Sequence, residues 1–153
     1  MMAEIPLKNS NLLLFLDKNQ WINQLSSMEA SPGVVLLSSW EQQGASGFQK
    51  IKPLVTKLID LGCKYFVCAG KYSESLHDFI DDVILDMSLS NRNENCSDII
   101  TTWHDTDTDD EVADFFLHST NVSNSLLVGF LDEGSLEDRR LKRAVLSLAE
   151  SDQ

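Results

Sequence analysis

Five short runs of branched and aromatic apolar residues, separated by stretches with helical spacing, limit this chain to few folds. The runs are "NLLLFLD" (11–17), "GVVLLSSW" (33–40), "KYFVCAG" (64–70), "DIITTWH" (98–104) and "SLLVGFLD" (125–132). Continuous apolar runs of this length suit strands covered on both faces, as in parallel sheets. Between them, Phe48, Ile51, Val55, Leu58 and Ile59 fall on one helical face, as do Leu76, Phe79, Ile80, Val83 and Ile84. Val112, Phe115 and Phe116 do the same, and Leu141, Ala144, Val145 and Leu148 stripe the last segment. The first segment, 19–28, is weaker, with Trp21, Leu25 and Met28 as its face.

Helix punctuation agrees with this register. Ser46–Gln49, Ser75–Asp78, Thr108–Glu111 and Ser135–Asp138 have capping-box spacing or its Asp variant, in which a hydroxyl and an acid satisfy free amides. Gly62 stands where the second helix is expected to end. Pro53 falls inside that helix, which therefore starts near residue 51 or kinks there. Strand-then-helix repetition predicts one domain over residues 1–153: a three-layer α/β/α sandwich with a mostly parallel five-stranded sheet. Right-handed crossovers narrow the order to Rossmann-like or flavodoxin-like. The clearest polar break is "NRNENCS" (91–97).

Charge excludes some partners. The chain of 153 residues carries −12, and residues 105–153 hold 12 carboxylates against 4 cations, so −8 of the −12. Nucleic acid and anionic membrane both call for clustered Lys and Arg, so neither is expected as a partner. "LLLFL" (12–16) is too short for a leader core or a bilayer span, and the expected location is cytoplasmic. Cys63, Cys68 and Cys96 lack metal-ligand spacing and read as reduced, mostly buried thiols.

In an open α/β sheet, ligands bind beyond the carboxyl ends of the strands. That rule gathers Asp17, Trp40, Glu41, Gly70, Lys71, Trp103, His104, Asp105, Asp132 and Glu133 along one edge. The stretch after the fourth run, "DIITTWHDTDTDDEVADFF", is dense in carboxylates. As a calcium loop it fails, because Asp110 and Phe116 stand where the loop needs Gly and Glu. Asp105 and Asp107 with Glu41 can be written as a Mg²⁺ site, yet acids in a first helical turn are also favoured by the helix dipole. Thr108 with Glu111 caps the next helix, and the capping reading is preferred.

His104 and Asp105 are adjacent on a strand and point apart, and no G-x-S-x-G elbow or phosphate-cradling loop is present. "GASG" (44–47) has amides able to hold an anion but lacks the Walker lysine. A response-regulator receiver needs an Asp after the third run and a Lys after the fifth; here these read "CAGK" and "FLDEG". Arg139, Arg140, Lys142 and Arg143 form a basic cluster with local partners at Asp138–Lys142 and Glu137–Arg140, which reads as a solvated face.

At "KYFVCAG", followed by a helix and then "TTWHD" ahead of an acidic helix start, the chain resembles an uncharacterised family of small bacterial α/β domains. The resemblance covers residues 60–132, and Thr101 to Asp105 carry its most specific piece. It implies a bacterial, cytoplasmic, single-domain protein of unassigned activity. The inserted "TDTD" (106–109) departs from the shorter acidic turn of that pattern, and no catalytic role transfers.

The expected function is a non-catalytic acidic interaction domain, of the immunity-protein or accessory-subunit kind, without a cofactor. A more basic protein would dock on Trp40, Glu41, Trp103, His104, Asp105, Asp107, Asp109 and Asp110, with the two indoles as anchors on one rim. Two alternatives stand beside it. One is a metal-dependent phosphoester hydrolase with Asp105, Asp107 and Glu41 as ligands and His104 as base. The other is a nucleotide sensor in which the two tryptophans stack a ring.

Overall fold

Every one of the five apolar runs forms a strand. In the computed structural model, which describes residues 4–28, 30–90 and 96–152, these are β2 (Leu12–Asp17), β3 (Pro32–Ser38), β4 (Tyr65–Ala69), β5 (Ile100–His104) and β6 (Leu126–Leu131). A sixth, β1 (Ile5–Pro6), adds antiparallel to β2 and corrects the five-stranded expectation to a six-stranded mixed sheet. Two residues containing a proline carry no alternation from which a strand can be read.

The helices are α1 (Trp21–Ser26), α2 (Ala45–Gln49), α3 (Lys52–Asp60), α4 (Ser73–Leu89), α5 (Asp109–Asp114) and α6 (Leu136–Ser151). A widened π-type turn over Phe115–Ser119 extends α5. Pro53 divides the second helical segment into α2 and α3 and sits in the first turn of α3, where a missing N–H costs nothing. Gly62 follows α3 with φ +95°, the left-handed turn expected of a helix-ending glycine. Of the "NRNENCS" break, residues 91–95 lie outside the described residues.

Two of the four expected caps are present. Thr108 and Glu111 form a reciprocal capping box on α5, and Ser135 Oγ accepts from the Asp138 amide on α6. Ser46 and Ser75 instead lie within α2 and α4, whose N-cap positions are Gly44 and Tyr72 without side-chain caps. The start of α4 is set by a backbone turn: the Ser73 amide donates to Gly70 O, and the Leu76 amide to Tyr72 O.

The sheet order is β1-β2-β6-β3-β4-β5, with β2 to β6 all parallel. It matches neither the 3-2-1-4-5-6 nor the 2-1-3-4-5 order of the expected types. The chain steps outward through β3, β4 and β5, then returns to insert β6 between β2 and β3. Alternate strand residues feed two buried clusters. Leu14, Leu16, Val35, Leu37, Phe66, Cys68, Val128 and Phe130 meet side chains of α1 to α4. Leu13, Val34, Leu36, Val67, Ala69, Leu127 and Leu131 meet those of α5, the π turn and α6. A side-chain period of two places these clusters on opposite faces of the sheet.

β5 departs from the buried-strand expectation. It ends the sheet, and Ile100 and Trp103 are 50% and 43% exposed. The thiols behave as expected of buried groups. Cys63, Cys68 and the half-buried Cys96 are free, and burial pushes the Cys63 thiol up to about 12 and the Cys68 thiol higher still.

Candidate functional site

Parallel pairing fixes which way each residue of β5 points. Trp103 pairs with Cys68 and His104 with Ala69, so the two project onto opposite faces. On the α4 face, the Trp103 indole lies against the His77 ring at 4.6 Å between centroids, tilted by 58°. His77 is half-buried between two carboxylates, with Nδ1 3.0 Å from Asp78 Oδ1 and Nε2 3.4 Å from Asp81 Oδ2. Thr101, on the same face, donates its hydroxyl to Asp81 Oδ1 at 2.6 Å. The patch is therefore an exposed indole on an imidazole shelf with acids beside it.

On the α5 face, His104 is clamped. Its Nε2 is 3.1 Å from Thr102 Oγ1, and its Nδ1 is 2.8 Å from Asp107 Oδ2. Phe115, from the π turn, covers the ring at 4.4 Å, and only 9% of the side chain reaches solvent. With Nδ1–H donating to Asp107, Nε2 is left to accept the Thr102 hydroxyl proton. Hydroxyl, imidazole and carboxylate thus stand in the order used by activated nucleophiles. Neither Thr102 nor His104 lines the five cavities of about 220 to 670 Å³ described on the molecule. The arrangement works as a clamp that holds the end of β5 to the start of α5.

Trp40 occupies a different environment. Its Nε1 donates to Asp138 Oδ1 at 2.6 Å, and its ring packs against the cluster under α5 and α6. Asp138 is 1% exposed and also accepts from Ser38 Oγ at 2.6 Å and the Asp132 amide at 2.7 Å. One buried carboxylate, in the first turn of α6 where the helix dipole favours it, joins the ends of β3 and β6 to that helix. Gly70 completes the junction with φ +103°; a Cβ there would come within 2.4 Å of Ser39 O and 3.2 Å of the Trp40 ring. No other residue fits.

The expected rim is therefore divided. Trp40 and Trp103 lie on opposite faces of the sheet and cannot stack one ring between them. Glu41 follows β3 and is separated from β5 by β4. Among the described residues, no group of three or more His, Cys, Asp or Glu is arranged to hold a metal ion, so Glu41, Asp105 and Asp107 do not assemble. Asp109 and Asp110 line a cavity with Arg140 and Arg143 of α6. Trp103 on one face and His104 with Asp107 on the other remain at the end of β5, with Asp105 exposed between them in the chain. Of the local pairs expected on α6, the Asp138–Lys142 pair is replaced. Asp138 is turned inward, and Lys142 instead reaches Glu133 at 2.6 Å.

Three contributors escaped the reading of the sequence. Thr102 is detectable from the strand period of two, which puts it on the same face as His104. His77 carries helical spacing only, and its role depends on which strand α4 covers. Asp138 looks like a cap residue, and its donors at Trp40 and Ser38 lie 98 and 100 positions away.

No helix among the described residues is long and apolar enough to cross a membrane. No curated protein matches the chain. A family model described as Domain of unknown function (DUF7684) matches residues 12–145, and the chain belongs to that uncharacterised family.

Proposed function

We propose that this protein is a non-catalytic interaction domain, of the immunity-protein or accessory-subunit kind, that receives a basic protein partner along the free edge of β5 in the cytoplasm. The observation that carries the reading is the exposure of Trp103 on the last strand of the sheet, on the His77 ring that Asp78 and Asp81 flank, with Ile100 exposed on the same strand and Asp105 exposed just past its end. A terminal strand offers backbone donors and acceptors to an added strand. An aromatic anchor bordered by acids supplies affinity at its centre and steering at its margin. The −12 charge supports a cationic protein and disfavours nucleic acid and anionic lipid. In the same reading, the two buried clusters are the helical interfaces of a three-layer α/β/α sandwich, doubly wound in the Rossmann-like manner with its own strand order.

Affinity capture from the source cells supplies the candidate, and titration of that purified protein at low and high salt tests the site. Trp103→Ala is expected to weaken binding by about tenfold or more, and Asp105→Asn to reduce the salt dependence. Binding unchanged by both substitutions removes the surface.

A further inference from the structure

The order of the sheet reverses at β6. Its helix, α6, packs with the second cluster, whereas α1 and α2, which follow the flanking β2 and β3, pack with the first. Such reversal points are where open α/β sheets leave room for ligands beyond the carboxyl ends of their strands. A cavity of about 380 Å³ lies there, lined by residues that follow β2 and β3 and by α2. Its polar wall includes Lys18, Asn19, Ser39, Gln43 and Lys50; Trp21, Phe48, Ile51 and Leu76 supply the apolar part.

The charge of this cavity opposes that of the molecule. The chain holds 24 Asp and Glu, yet none of those among the described residues lines it. Neither Lys18 nor Lys50 pairs with a carboxylate among the described residues. Lys18 Nζ donates to Ser38 O at 3.2 Å, which pins the ammonium at the end of β3 and leaves two of its three N–H groups available. Gln43 folds over Gly47, where an added Cβ would fall 2.2 Å from Gln43 Oε1. A neighbouring cavity of about 670 Å³ shares Trp21 and adds Lys52 and Lys57, with Asp60 as the one acidic residue among its described lining residues.

We propose that the cavity between the ends of β2 and β3 binds a small phosphate-bearing molecule, with Lys18 and Lys50 holding the dianion and Trp21 and Phe48 against its organic part. Two point charges with hydroxyl and amide neighbours suit the several acceptor oxygens of a phosphate. An anion there would meet two ammonium groups that have no carboxylate partner among the described residues. The site lies two strands from β5, so it stands or falls separately from the docking edge.

Calorimetry on the full chain with inorganic phosphate, adenosine monophosphate and adenosine tests the assignment. Both phosphate compounds are expected to bind at millimolar concentration or below, the nucleotide more tightly, and adenosine at least tenfold more weakly than the nucleotide. Lys50→Glu, on an exposed side chain, is expected to lower phosphate affinity by about tenfold or more with an unchanged melting temperature, and Lys18→Met to lower it as well. Silence toward both phosphate compounds at ten-millimolar levels, equal binding of adenosine and its monophosphate, or undiminished binding by Lys50→Glu overturns the proposal.

Discussion

Two strand ends in this molecule carry a tryptophan with carboxylates nearby, and they have opposite fates. After β3, Trp40 meets a buried carboxylate with its indole N–H and becomes framework. On β5, Trp103 lies on an imidazole and keeps 43% of its surface in solvent. The difference comes from position in the sheet. β3 lies between β6 and β4, so the chain leaving it is enclosed by neighbouring ends and by α6. β5 has a neighbour on one side only, and nothing among the described residues pairs with its outer side. The same pair of residue types is structural where polar groups must be satisfied internally, and free for recognition where water does that work.

The sharpest way to break the comparison is to remove the carboxylate at the enclosed end. Asp138→Ala strands the Ser38 hydroxyl, the Trp40 indole N–H and the Asp132 amide, and is expected to cost about 3 kcal/mol or more in urea unfolding. A loss near that of an ordinary surface substitution would deny the junction its role. Gly70→Ala attacks the same junction from below, through a left-handed backbone and a close approach to Ser39 O. It is expected to cost about 2–3 kcal/mol, read as a lower melting temperature.

At the open end the expectation reverses. Trp103→Ala should change stability by less than about 1 kcal/mol, because the side chain is already half in water. Its large effect is reserved for partner affinity.

The smallest effect concerns His118, which joins the π turn to the end of α6 through Asp114 and Asp152. Hydrogen bonds to Asp114 and then Asp152 raise its pKa above the ordinary histidine value. The charged form is therefore favoured in the folded state. Its stabilisation is complete below the unfolded pKa and fades as pH rises through the higher folded one. Because the group is well exposed, the change should stay within about 0.5 kcal/mol. His118→Gln should flatten the slope of stability against pH on the alkaline side of the histidine range; a slope unaltered by that substitution would assign it elsewhere.

The sequence was legible where structure is local. Buried parallel strands are continuous apolar runs, which marks β2, β3, β4 and β6; β5, with no buried residue, is marked by its branched and aromatic residues alone, and Pro53 and Gly62 mark helix boundaries through fixed backbone chemistry. β1 has too few residues to show a period. The strand order was hidden because nothing in β6 itself says that it returns between β2 and β3. The same non-locality explains the site. The strand period already turns Asp105 away from His104, but it does not name the carboxylate that takes its place, because Asp107 reaches Nδ1 only after the chain bends toward α5. Trp40 and Trp103 looked equivalent because both follow apolar runs, and only the arrangement of neighbouring strands tells them apart.

Backbone hydrogen exchange of the free protein and of its complex with the captured partner tests the central claim most directly. Slowed exchange over residues 100–107, with residues 38–41 unchanged, is the predicted result. Slowing around Trp40 with none along β5 would contradict it.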